Sequence, residues 1–231
     1  MQQLVNTALG GLTLGAVYAA FALALVLIFR STRIVNFAQA PMAMVTTFIA
    51  LTLIDAGYSY WIGFAAALLS GLVLGAVIER VIIRPVEDKP EINAVILTLG
   101  LFITLHALAA VIFGNRFRSF PAPFGLRGLE VGGTTIRLTT SGIFTIVAVA
   151  TVMVLLLLLF RYTDVGLRMR ASAYNPEVAR LLGVRVGRML TLGWALAAVV
   201  GSLSGLLIAS GGLVHPGYMD SIVVYGFVAA V

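Results

Sequence analysis

Long apolar runs alternate along this chain with short polar segments. The runs extend from about Ala8 to Phe29, Phe37 to Ile54, Trp61 to Ile78, Ile92 to Phe113, Ile143 to Phe160 and Leu190 to Ala209, and a seventh starts near Ile222. These runs are long enough for the roughly 20 residues a helix needs to cross the hydrocarbon core. The pattern predicts an all-α, polytopic transmembrane bundle, read as a single domain over residues 1–231. Small residues recur at every fourth position in three runs: Gly11, Gly15 and Ala19; Gly71 and Gly75; Gly193, Ala197, Gly201, Gly205 and Ala209. Such ridges let helices approach closely. Between Ile34 and Met44 the pattern is interrupted by Asn36, Gln39 and Pro41. A broken helix is expected there, and non-helical backbone at membrane depth needs burial in protein or a water-filled path.

The segment 161–190 is the longest basic interruption, with six arginines (Arg161, Arg168, Arg170, Arg180, Arg185, Arg188) against Asp164 and Glu177. Its central residues predict a short helix with both ends specified. Asn175 can cap it, Pro176 is pre-organised for the first helical position, Glu177 complements the first turn, and Gly183 falls just past the end. Val178, Leu181 and Leu182 stand at i, i+3 and i+4 and form one apolar stripe. An amphipathic helix in a polar loop of a membrane protein predicts a docking partner.

Composition agrees with the membrane reading: hydrophobic residues make up 61% of the chain and charged residues 10%, and the mean hydropathy is +1.08. The first run follows Met1-Gln2-Gln3, lacks a positive leader and is too long for a signal peptide, so it reads as a retained span. The net charge of +6 is explained by orientation. With 161–190 inside, alternating spans put Arg30, Arg33, Arg80, Arg84 and Lys89 inside as well, and Arg116, Arg118, Arg127 and Arg137 outside. Eleven of the fifteen basic residues are then cytoplasmic, which favours an extracytoplasmic N-terminus. No continuous basic face remains for nucleic acid.

The chemistry absent from the chain narrows the function further. Lys89, its sole lysine, is followed by Pro90 and preceded by acids, so no phosphate loop can be written. Cysteine is absent, and His106 and His215 lack metal-ligand spacing. The stretch Gly201 to Gly205 centres on Leu203 and fails the G-x-S-x-G pattern, leaving Ser202 and Ser204 to bond between helices. No catalytic residue, metal site or cofactor is expected. Candidate pathway residues are Asn36 and Gln39 at the break, and His106 inside the fourth run, where a polar side chain is costly. Each has a structural alternative: a hydrogen bond to a neighbouring helix. Glu79 and Arg80 lie at a span end, where snorkelling or pairing with Arg84 or Glu87 explains them. The segment 114–140 carries Phe117, Phe120, Pro121, Pro123 and Phe124, and Gly132-Gly133 can turn a small hairpin. It reads either as an extracytoplasmic docking or gating surface or as an ordered connector.

Several stretches together resemble the LivH-type permeases of branched-chain amino acid ABC importers: Gly11 to Arg30, R-I-V-N-F-A-Q (Arg33 to Gln39), E-R-V-I-I-R-P (Glu79 to Pro85), T-L-G-L (Thr98 to Leu101) and Gly166 to Val184. The resemblance runs nearly end to end. It implies that 161–190 is a coupling loop whose E-A-A-x-x-x-G element, here Glu177, Val178, Ala179 and Gly183, docks with Asn175, Pro176, Leu181 and Leu182 onto an ATPase subunit. It further implies a second permease subunit, an extracytoplasmic solute-binding protein, ATP used by the partner rather than by this chain, and a place in the cell membrane. Family members usually read N-F-A-H-G-E after the first span, where this chain has Asn36-Phe37-Ala38-Gln39-Ala40-Pro41, so the resemblance does not carry the solute. Members also continue through further spans, so residues 1–231 are expected to lack the last ones. The rival is a self-sufficient secondary transporter or channel. It needs a mid-membrane carboxylate or cation site, and of the nine acids Asp220 is the least settled.

Overall fold

A computed structural model describes residues 2–32, 34–86, 89–125, 128–131 and 134–230. In chain order the elements are α1 (Gln2–Thr32), α2 (Gln39–Asp55), α3 (Tyr60–Ile78), α4 (Glu91–Phe113), β1 (Arg118–Ser119), β2 (Gly128–Val131), β3 (Thr134–Thr139), α5 (Thr140–Tyr162), α6 (Asp164–Tyr174), α7 (Pro176–Leu181), α8 (Val186–Ala209), β4 (Leu213–Val214) and α9 (Asp220–Ala230). The chain is an all-α polytopic bundle. Among the described residues, five helices are long and apolar enough to cross a membrane: Asn6–Thr32, Tyr60–Val86, Ile92–Phe113, Thr140–Tyr162 and Val186–Ala209. Helix α8 is the axis of the bundle, buried over most of its length against α1, α2 and α3. Helices α4 and α5 are mostly exposed and face outward.

Close approach of α3 and α8 follows from small residues on both. A Cβ added at Gly75 would stand 2.5 Å from the Trp194 carbonyl oxygen and 2.6 Å from the Ala198 Cβ; one at Gly71 would stand 2.2 Å from the Ser202 hydroxyl. Gly193, Gly201 and Gly205 likewise meet Ser31, Gln39 and Thr47. Gly75→Ala is expected to force the two backbones apart and destabilise the bundle by about 1–3 kcal/mol. A lowered thermal midpoint in detergent checks this; an unchanged one counts against it. Ser202 and Ser204 bond between helices as expected: Thr46 donates to Ser202 from α2 at 2.9 Å, and Ser204 donates to the Val17 carbonyl of α1 at 3.2 Å.

Two expectations are corrected. Gly11 and Gly15 have nothing within 4 Å of an added Cβ, so the first small-residue ridge does not pack within this chain. The run from Phe37 to Ile54 is not a full span. Helix α2 has 17 residues, about 25 Å at 1.5 Å per residue, and its first residue lies beside Ala197 in the middle of α8. Pro41 accounts for this start. It has no N–H for the Phe37 carbonyl and its ring would clash there, so a helix can hold it only in the first turn.

The polar segments share ends as the alternation predicted. The ends of α1 and α3 meet the first half of α8, through Ser31 against Gly193 and Arg84 against Gly187. At the opposite end Asp55, closing α2, is ion-paired with Arg118. The described residues of 114–140 lie on that end. There β1 pairs antiparallel with β4, β2 pairs antiparallel with β3, and Phe120 is buried in the bundle. The Gly132-Gly133 turn lies outside the described residues, but Val131 and Thr134 on either side are paired in register. Phe124 of this segment stacks edge to face with Trp61 and Phe144, which in turn pack edge to face with Phe64.

Candidate coupling site and helix break

Helix α7 is built as its sequence specifies. The Asn175 side chain accepts from the Val178 N–H at 3.0 Å, Pro176 opens the helix, and Glu177 sits in the first turn. The helix is closed by Gly183 at φ +82°, whose N–H donates to Arg180, while Val184 donates to Ala179. This left-handed glycine turn satisfies the last carbonyls. Ala179 is buried against Val186 and Leu190 of α8. The opposite face is open: Val178, Leu181 and Leu182 are 48%, 87% and 78% exposed.

Helix α6 was not anticipated, although Thr163-Asp164 carries its signal: the Thr163 hydroxyl accepts from the Gly166 N–H at 3.1 Å and Asp164 lies in the first turn. Gly166 lets α6 fold back onto α5, since a Cβ there would stand 2.2 Å from the Leu159 carbonyl oxygen. The α7 segment is therefore held on both sides, by α6 and by α8.

Beside it lies a buried ion pair. Helix α3 continues through a π turn (Glu79–Ile83) and a 3-10 turn (Arg84–Val86). Glu79 is 1% exposed, so snorkelling does not describe it. Its carboxylate accepts from Arg84 at 2.9–3.1 Å and from the Thr191 hydroxyl at 2.7 Å. Arg84 also donates to the Gly187 carbonyl and to Thr191, both at 2.7 Å. The end of α3 is thereby clamped to the first turns of α8. Arg80, by contrast, is exposed.

Asn36 and Gln39 come together at the break, each 1% exposed. Asn36 accepts from the Ala38 N–H at 3.0 Å and donates to Gln39 at 3.1 Å; Gln39 donates to the Ala197 carbonyl at 3.0 Å. The Asn36 turn replaces the helical bonds lost at the break, and Thr98 of α4 donates to the Val35 carbonyl at 3.3 Å. In this conformation the break is buried in protein, with Gln39 seated in the notch at Gly201.

His106 is not part of that cluster. Its Nδ1 lies 3.1 Å from the Phe102 carbonyl and its Nε2 3.0 Å from the Asp220 carboxylate at the start of α9. Asp220 is 114 positions away and had no assigned partner in the sequence. Among the described residues no cluster of three or more metal-ligating side chains occurs.

These features can be set beside known proteins. The family model described as branched-chain amino acid transport system / permease component matches residues 7–231. The high-affinity branched-chain amino acid transport permease LivH of Salmonella typhimurium is 28% identical, covering 94% of this chain and 73% of that protein. The corresponding permease BraD of Pseudomonas aeruginosa is 26% identical over all of this chain and 78% of its own length. The xylose/arabinose import permease XylH of Sulfolobus acidocaldarius is 30% identical over 53% of this chain and 32% of its own length. No solved structure matches. A capped helix presented between span ends, on a multi-pass bundle matched nearly end to end by this model, identifies the chain as a member of the branched-chain amino acid transport permease family.

Proposed function

We propose that this permease moves a branched-chain or related amino acid into the cytoplasm, driven by ATP hydrolysis on a separate ATPase subunit that grips α7. The observation that carries the reading is the open apolar face of Val178, Leu181 and Leu182 on a helix capped at both ends. An amphipathic helix seated in a groove supplies the mechanical link. Because Ala179 packs on Val186 and Leu190, and Arg84 ties the same turns of α8 to α3, a displacement of α7 is carried into α8. Helix α8 holds Gln39 at mid-depth through Ala197, so the movement reaches the helix break. There Asn36 and Gln39 line the solute path when it opens, and His106 lies farther along it. Differential affinity of the ATPase for two arrangements of α7 drives the change.

The basic ends lie in the cytoplasm and the N-terminus outside. The segment 114–140 receives an extracytoplasmic solute-binding protein, and a second permease subunit completes the core. The cell membrane is its location. Uptake of radiolabelled leucine, isoleucine and valine in cells lacking and then regaining this chain tests the reading. Uptake is expected to vanish and return, to survive collapse of the proton gradient, and to fail when ATP is depleted. Gradient-driven uptake by liposomes containing this chain alone favours a secondary transporter using the His106–Asp220 pair.

A further inference from the structure

A cavity of about 390 Å³ opens beside α7, lined by Arg168 of α6, Arg185 in the connector, Arg188 of α8, and the apolar side chains of Leu182, Val184 and Met189. The tertiary structure assembles it, because residues 168 and 185–188 come from different elements. Among the described residues none of the three guanidinium groups pairs with a carboxylate. Helix α8 begins at this point with no acid in its first turn, so its dipole adds to the positive field. Three like charges around one hollow repel each other and lack a counter-charge. A phosphate group is the chemical match, since guanidinium binds its oxygens in paired, charge-assisted hydrogen bonds.

We propose that this cavity binds a phosphate-bearing anion, the headgroup of an anionic phospholipid. The apolar side chains of Val184 and Met189, which lie off the docking face of α7, favour a lipid over free phosphate. Val184 and Met189 stand where the chain passes from its polar segment into the apolar α8, the level at which a headgroup gives way to acyl chain. A bound lipid would brace α6, α7 and α8 against one another. The site does not depend on which solute is carried.

The test titrates the full chain in a neutral detergent with short-chain phosphatidylglycerol, short-chain phosphatidylcholine and inorganic phosphate, with binding read by native mass spectrometry. Phosphatidylglycerol is expected to bind and phosphatidylcholine not. Each Arg→Gln change at 168, 185 or 188 should weaken binding roughly fivefold, and the triple variant on the order of a hundredfold. Arg80→Gln, an exposed basic residue outside the cavity, should leave it unchanged. The single variants keep the test decisive if the triple variant fails to fold. Competition by inorganic phosphate at equal concentration supports phosphate recognition and assigns the free anion as the source. Equal affinity in all variants, equal binding of phosphatidylcholine, or no binding of either phosphate species overturns the proposal.

Discussion

Leu181→Asp is expected to abolish co-purification with the proposed ATPase subunit and solute-stimulated ATP hydrolysis while leaving the fold intact. The side chain is 87% exposed, so the substitution removes little packing, and its cost to the chain's own stability should stay within about 0.5 kcal/mol. In an apolar groove the same change buries an unpaired carboxylate, which costs several kcal/mol or excludes docking altogether. The contrast between an unaltered melting profile and lost assembly is the signature of a docking residue. Glu177→Ala makes a graded comparison. It removes a first-turn charge worth about 0.3–1 kcal/mol at a helix start and any partner the carboxylate meets, so assembly should weaken without disappearing. Undiminished assembly and ATP hydrolysis in both variants would exclude α7 as the coupling element.

Arg84→Met should produce the largest loss of stability among single changes at this end of the bundle. Glu79 is 1% exposed and has Arg84 as its only cationic partner among the described residues, with Thr191 as one further donor. Removing one member of a buried pair typically costs about 3–5 kcal/mol, because the charge left behind is uncompensated. Arg84 is partly exposed, so its own desolvation is smaller and Glu79 carries most of the penalty. The double variant Glu79→Gln with Arg84→Met should recover part of the loss, since no buried charge remains. Thermal midpoints of wild type, both single variants and the double variant close the cycle. A double variant no better than Arg84→Met alone, or an Arg84→Met chain as stable as wild type, would show that the clamp does not depend on this charge pair.

Legibility from sequence followed the range of the forces involved. The α7 caps, its proline and its closing glycine act within nine consecutive positions, Asn175 to Gly183, and each works through local backbone bonds. They were readable without any knowledge of packing. The break near Asn36 was readable for a similar reason, since Pro41 excludes a helix through it whatever surrounds it. The start of α2 at mid-depth was not: it rests on Gln39 bonding to Ala197 from 158 positions away. The Thr163-Asp164 cap of α6 is a local signal, whereas the fold-back of α6 onto α5 depends on the close approach of Gly166 to Leu159.

Spacing of small residues marked three ridges equally, yet the bundle uses two. Gly71 and Gly75 face α8, whose own glycines receive Ser31, Gln39 and Thr47, whereas Gly11 and Gly15 face open space. Periodicity says which side of a helix permits close approach; it does not say that a neighbour arrives. The same holds for charge. Alternation of the spans predicts eleven basic residues on one side, but only the fold separates Arg84, committed to Glu79, from Arg168, Arg185 and Arg188 around their hollow.

By itself, then, the sequence determined the polytopic all-α class, which polar ends group together, and where α7 begins and stops, because hydropathy and capping are properties of neighbouring residues. The tertiary structure alone decided that α8 is the axis, that Glu79 is buried against Arg84 and Thr191, that His106 meets Asp220, and that three arginines share one cavity. Those outcomes depend on which helix faces pack together, a choice made by complementary surfaces far apart in the chain rather than by any local pattern.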